Sequence, residues 1–140
     1  MKTLFFLFAL ISLFNIPNSY SQIIEDLATS LNTYEIKEGA LSEISTGKTI
    51  YKLEENRIKD GKSGTTLYTI SNGVLKNTSK KSLYKYVDGI VSDISTGKKL
   101  YEVTDSGVIK SWSMGTGFYR ITGGFGSGEL YMILLATGLL

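Results

Sequence analysis

Two short glycine–lysine motifs contain the first residues whose types and spacing could do chemistry. Residues 47–49 read GKT and residues 61–63 read GKS, like the end of a phosphate-binding loop, whose backbone amides hold phosphate groups. That loop also needs a glycine five positions before the motif's own glycine, but Ser42 and Asn56 stand there. Strand-like residues follow both motifs where a helix is required, so we expect polar turns instead.

Acidic side chains offer a second kind of chemistry. STG at residues 95–97 resembles an aspartic protease signature, which needs the acid directly before Thr-Gly, whereas Asp93 lies two residues too early. Glu38, Asp88 and Asp105 recur at predicted turns, where a short acidic side chain can bond the backbone. Acid–base catalysis would need two carboxylates about 5 to 9.5 Å apart at a cleft. We therefore expect these carboxylates to form turns.

Histidine and cysteine are absent from the 140-residue sequence. A Ser-His-Asp triad, a Cys-His dyad and the usual zinc or copper sites each need one of them. We therefore expect no catalytic residue, no cofactor and no metal site, and we predict that the protein is not an enzyme. A carboxylate-based hydrolase is the less favoured alternative.

Aromatic side chains are the most suggestive binding residues, with nine tyrosines and a single tryptophan, Trp112. Tyrosine and tryptophan suit interfaces because one end is apolar and the other forms hydrogen bonds. Most of the tyrosines have an aliphatic residue two positions later, which predicts core positions. Trp112 lies in a predicted loop outside the repeated pattern described next. It is therefore our candidate ligand contact.

The turns and tyrosines belong to a repeat of about 17 residues, because SEISTGKTIYKL at residues 42–53 returns as SDISTGKKLYEV at residues 92–103. Five full lines and a shorter sixth begin with Tyr34, Tyr51, Tyr68, Tyr84, Tyr101 and Tyr119. Each line starts with alternating apolar and polar residues, which predicts a half-buried strand. A polar step rich in Gly and Asn follows, typical of a hairpin turn. The return strands then have predicted inward residues at Leu41, Ile58, Leu75, Val91 and Ile109.

This pattern predicts an all-β fold of about ten short antiparallel strands, paired as hairpins in a closed, flower-like ring. One hairpin is marginal alone, and ring closure removes exposed sheet edges. An open β-solenoid is the alternative. The glycine-rich residues 123–128 are expected to form a tight turn before a last strand. The apolar tail at residues 130–140 is expected to fill or close the ring. Residues 22–33 are expected to be a short helical or irregular lead-in, and residues 34–140 the hairpin domain.

The N-terminal residues predict export. Lys2 precedes an apolar run at residues 4–14 and a polar stretch that ends at Ser21, the order of a secretory signal peptide. We expect residues 1–21 to be removed, leaving a secreted or periplasmic chain without a membrane span. Eleven apolar residues are too few to cross a bilayer, although a retained anchor is the alternative. Removing Lys2 from the 15 basic residues leaves 14 against 13 acidic ones, so we expect no nucleic-acid partner.

The recurring Y-x-[ILV]-x-[EDN]-G-x-[ILV] unit, between a signal peptide and an apolar tail, resembles the β-flower proteins of bacteria. These are described as four-fold or five-fold by their number of hairpin petals. The resemblance covers roughly residues 34–140, and five full lines favour the five-fold kind over a four-fold ring with an outlying hairpin. It implies a fold and no assigned reaction, so no catalytic residue carries over.

These observations predict an exported, non-enzymatic β-repeat module that binds or scaffolds at the cell envelope. Its expected partner is an envelope protein or a glycan. The alternative is an assembly subunit that docks through one face of a petal.

Overall fold

The structure, a computed structural model, describes residues 21–140, and the predicted signal peptide lies outside these residues except for Ser21. Within residues 21–140, twelve strands and one helix follow one another. They are β1 (Gln22–Asp26), β2 (Leu31–Lys37), β3 (Ala40–Glu43), β4 (Thr49–Glu54), β5 (Arg57–Asp60), β6 (Thr66–Ser71), β7 (Val74–Asn77), β8 (Ser82–Val87), β9 (Ile90–Asp93), β10 (Lys99–Val103), β11 (Val108–Ser111), β12 (Gly117–Thr122) and α1 (Ser127–Ala136).

The strands form one closed barrel, in which every strand pairs with its neighbours along the chain and β1 closes on β12. The predicted all-β ring of hairpins is thus confirmed, and the open solenoid is excluded. Because the strands run up and down in turn, all the short turns lie at one end of the barrel and all the longer loops at the other. We call these the tight-turn end and the loop end.

The ring contains twelve strands in six hairpins, where the sequence predicted about ten strands and favoured five hairpins. The sixth is formed by the first and last strands, which pair with Ile24 of β1 opposite Ile121 of β12. The expected helical or irregular lead-in at residues 22–33 is therefore wrong, because these residues form β1 and the start of β2. β1 is the return half of a repeat whose outgoing half is β12. Ile24, 17 residues before Leu41, is likewise fully buried.

Each return strand sends one apolar side chain into the barrel. The predicted inward residues Leu41, Ile58, Leu75, Val91 and Ile109 are all fully buried. Just beyond this residue the pairing with the following strand shifts, for example between Leu41 and Ser42 and between Ile58 and Lys59. Such β-bulges bend a strand and increase its twist, which suits a small barrel.

The tight turns have the backbone expected of two-residue hairpins. Both turn residues have positive φ in Glu38-Gly39, Asn72-Gly73 and Asp88-Gly89, as type I′ turns require. In the turn at residues 55–56, Glu55 takes the positive φ, +55°, instead of Asn56. The turn at residues 105–107 is one residue longer, and Gly107 adopts a φ of +83° there.

The longer loops are held by the side chain at the end of each return strand. The Asp60 carboxylate accepts hydrogen bonds from the backbone N–H groups of Lys62 and Ser63 at 2.9 and 2.7 Å. The Asp93 carboxylate accepts one from the Ser95 hydroxyl at 2.6 Å, and this bond lowers the pKa of Asp93. The repeated STGK segments are therefore turns, and the GKT and GKS motifs are followed by β4 and β6 instead of the helix that a phosphate-binding loop needs.

The apolar tail lies inside the barrel, largely as helix α1. Its fully buried residues, Leu130, Tyr131, Met132, Ile133 and Leu134, share one core with the inward residues of the strands. The Tyr131 hydroxyl donates to the Gly73 carbonyl at 2.6 Å, at the tight-turn end. The Tyr34 and Tyr101 hydroxyls donate to the Ala136 and Leu139 carbonyls at 3.2 and 2.6 Å. Because these bonds come from three hairpins, the tail fills the ring, as predicted.

The glycine-rich residues 123–128 do not form a tight turn before a last strand, which corrects that expectation. They carry the chain from β12 into α1. The Glu129 carboxylate accepts a hydrogen bond from the Gly126 N–H at 3.0 Å, and an acidic side chain in the first helical turn also favours helix formation. The segment therefore turns the chain from the barrel wall into its interior.

The tyrosines that begin the repeated lines are half-buried and pack against the core. They are Tyr34, Tyr51, Tyr68, Tyr84, Tyr101 and Tyr119. Burial raises the pKa of several of these phenols above the ordinary value, for example that of Tyr101. Burial also raises the pKa of Tyr131, the phenol on the helix.

We expect the barrel to lose stability at alkaline pH. The folded chain keeps its phenols neutral at a pH where the unfolded chain ionises them, so the free energy of unfolding should hold up to about pH 10 and fall above it. Urea denaturation of wild type and Tyr131→Phe between pH 7 and 11.5 tests this. The variant should be about 1 kcal/mol less stable at pH 7 through its lost hydrogen bond, but should lose less stability as pH rises. If the free energy of unfolding fell equally with pH in both proteins, the raised pKa of Tyr131 would not contribute to the alkaline loss of stability.

Candidate functional site

Trp112 follows β11 directly and occupies a regular position of the repeat. Its backbone N–H donates to the Leu100 carbonyl at 2.9 Å, as the backbone N–H of Ile94 donates to the Leu83 carbonyl at 3.0 Å. The expectation that Trp112 lies outside the pattern is therefore wrong, although its place in a loop is correct. The spacing in the sequence could have predicted this regular position, because Trp112 lies three residues after Ile109, as Ile94 does after Val91.

The Trp112 side chain stays 44% exposed. The Lys99 ammonium lies over the indole, 4.5 Å from the ring centroid, which is within cation–π range. This contact holds one face of the ring and limits the freedom of the side chain. An exposed indole that is already oriented loses little entropy when a ligand stacks on it.

An open cleft of about 790 Å³ lies beside Trp112, between the β8–β9 and β10–β11 hairpins. Ile90 on β9 and Glu102 on β10 border it on the barrel wall, and Phe125 borders it where the chain enters the barrel. The cleft thus extends from the outer wall to the tight-turn end. The candidate contact predicted from sequence therefore lines this cleft.

Carboxylates dominate the charge of this cleft. Asp88 and Asp105, predicted as turn residues, occupy neighbouring tight turns and both line it. Glu102 also lines it and forms an ion pair with Lys110 at 3.2 Å. Glu38, the third predicted turn carboxylate, lies in the turn between β2 and β3. The structure therefore brings two of the three carboxylates to one cleft, which sequence reasoning did not predict.

Tyr86 adds a polar group at the tight-turn end of the cleft. Burial and the negative charge of Asp105 both raise the pKa of Tyr86. Its hydroxyl therefore stays protonated at neutral pH and can donate a hydrogen bond as well as accept one. The cleft thus offers an aromatic face, carboxylate acceptors and a neutral hydroxyl.

Two further features are absent from residues 21–140. No group of three or more acidic side chains in this part of the chain is placed to hold a metal ion. Nor do these residues include a helix with the length and apolar character to cross a membrane.

Comparisons of the chain with protein-family models, curated protein sequences and solved structures find no match. Any functional argument therefore depends on the geometry of the clefts themselves.

Proposed function

We propose that this protein is an exported, non-enzymatic module that binds a glycan of the cell envelope in the cleft beside Trp112. One observation carries the proposal: an exposed, oriented indole lies at the edge of an open cleft that also contains Asp88, Glu102 and Asp105. Export is supported by the order of charged, apolar and small residues at positions 1–21.

The chemistry of the cleft suits a sugar ring. The apolar face of a pyranose can stack on an indole, which buries apolar area on both sides. Sugar hydroxyls need acceptors and donors around the ring's edge, and carboxylates and the Tyr86 hydroxyl supply them. Hydrogen bonds to charged acceptors are stronger than those between neutral groups. An open cleft, unlike a closed cavity, admits one unit of a long polymer.

The non-enzymatic part of the proposal rests on residue types. Without histidine or cysteine, the sequence offers carboxylates and phenols as its acid–base groups. Glu102 is paired with Lys110, while Asp88 and Asp105 lie in neighbouring tight turns. Membership of the β-flower family is part of the same proposal, supported by the ring of hairpins around an apolar tail.

Replacing Trp112 by alanine tests the proposed contact. Losing the stacking surface should weaken retention on insoluble peptidoglycan or chitin at least about tenfold, a change of roughly 1.4 kcal/mol. The measurement is a depletion assay of residues 22–140 against increasing polymer. Ile44→Ala is the matched control, because Ile44 holds the equivalent position in the first hairpin and is similarly exposed, at 43%. Unchanged retention of Trp112→Ala, with wild-type binding present, would exclude Trp112 as the contact.

A further inference from the structure

The six hairpins provide an internal comparison, because equivalent positions on their outer faces can be read side by side. In the β8–β9 hairpin, three neighbouring outward positions are Val87, Ile90 and Ile94. The same positions are Glu54, Arg57 and Gly61 in the β4–β5 hairpin, and Ser71, Val74 and Thr78 in the β6–β7 hairpin. Each of the remaining three hairpins has at least one polar residue among them, at Lys37, Thr104 or Thr122. The β8–β9 hairpin alone is apolar at all three positions.

These apolar side chains remain in solvent. Val87 is 51% exposed and Ile94 is 37% exposed, and with Ile90 they line an outer groove of about 420 Å³. The repeat shows that the fold does not require apolar residues here, because other hairpins build the same geometry with charged or small ones. A contiguous exposed apolar surface on a small domain typically marks an interaction site.

The groove is also positively charged at both sides. Lys85 on β8 and Lys99 at the start of β10 line it on either side of β9. Asp93 lines it too, but its carboxylate accepts hydrogen bonds from the Ser95 hydroxyl and the Thr96 N–H within its own loop. An apolar floor between two ammonium groups complements an apolar side chain that has carboxylates beside it.

We propose that the outer face of the β8–β9 hairpin docks a short, extended segment of a partner protein in which apolar side chains are flanked by Asp or Glu. The apolar residues occupy the groove over Val87, Ile90 and Ile94, and the flanking carboxylates pair with Lys85 and Lys99. A groove of this size holds only one or two side chains, which fits a peptide segment better than a whole protein surface. This groove adjoins the proposed glycan cleft, because Ile90 borders both and the Lys99 ammonium also contacts the Trp112 indole.

Fluorescence anisotropy with synthetic peptides tests the proposal. The probes are a short labelled peptide with two central leucines flanked by glutamates, and a second peptide with lysines in place of the glutamates. The acidic peptide should bind residues 22–140 at least about tenfold more tightly than the basic one. The double variant Val87→Thr/Ile94→Ser should lose this binding about tenfold, and Lys85→Glu should remove the preference for the acidic peptide. Because the substituted side chains of Lys85, Val87 and Ile94 are exposed, the variants should keep the wild-type Tm.

Matched controls come from other hairpins. Ile44→Ser and Lys52→Glu make the same changes at the equivalent positions of the first and second hairpins, and both should bind the acidic peptide like wild type. Equal binding of the two peptides, binding of neither, or equal losses in the controls would overturn the proposal. A concentration-dependent dimer in sedimentation that Val87→Thr/Ile94→Ser abolishes would instead assign the groove to a second copy of this chain. Retention of the double variant on peptidoglycan separates this site from the Trp112 cleft.

Discussion

A chain that ends at residue 129 should not form a soluble barrel. The missing residues include five fully buried side chains of the shared core, and burying a large apolar side chain contributes about 1.5 to 3 kcal/mol. Their combined loss is comparable to the roughly 5 to 15 kcal/mol that stabilises a typical domain. The hydrogen bond from Tyr131 to Gly73 would be lost as well.

The measurement is soluble yield and circular dichroism of residues 22–129 beside residues 22–140. A chain that ends at residue 137 is the control, because it keeps the helix and loses the half-buried Leu139 and Leu140. It should fold with lowered stability. A monomeric, cooperatively unfolding protein without residues 130–140 would show that the strands make a core of their own.

The second large effect is expected at Gly107, in the tight turn between β10 and β11. Its φ is +83°, a backbone conformation that is strained for any residue with a Cβ. A Cβ here would also overlap the carbonyl oxygen of Ile121. That oxygen cannot easily move aside, because Ile121 is fixed in β12. Gly107→Ala should therefore cost about 3 kcal/mol or more in the free energy of unfolding, through strain and displaced backbone.

Gly115→Ala isolates the first of these causes, the backbone strain. Gly115 has a φ of +69°, but nothing lies within 4 Å of a Cβ placed on it. Its replacement should cost about 1 kcal/mol, since only the backbone strain applies. The two variants are compared by urea denaturation at pH 7. Similar losses in both would mean that the wall beside Gly107 moves easily.

Much of the barrel wall could be predicted from sequence because its signals are local. A tyrosine, an aliphatic residue two positions later and an Asn-Gly or Asp-Gly step each determine a strand or turn within a few residues. The inward position of Leu41 and its equivalents followed from that alternation. A local signal also explains the loops, where Asp60 bonds backbone groups only two and three residues away.

The ends of the chain were predicted less well because their partners are distant. Ile24 pairs with Ile121, and the two halves of the sixth hairpin cannot be recognised as one repeat by reading in chain order. The tail could be placed inside the ring by its hydrophobicity, but a short apolar run does not distinguish helix from strand. The mistake at Trp112 had another cause, since the unusual residue type masked a regular position.

The clefts lay beyond sequence reasoning because they depend on register between hairpins. Asp88 and Asp105 were recognised as turn residues, but only the pairing of β9 with β10 places their turns side by side. The apolar groove over Val87 needed the same information. Comparing the six hairpins at equivalent positions is possible only after the sixth has been recognised.

The closure of β1 on β12 has a consequence for biosynthesis. The first strand must wait for a partner that emerges nearly 100 residues later, and contacts of such wide sequence separation form slowly. A growing chain therefore cannot complete its ring until β12 has been synthesised. Such a delay would suit the export proposed above, because an exported chain crosses the membrane before it folds.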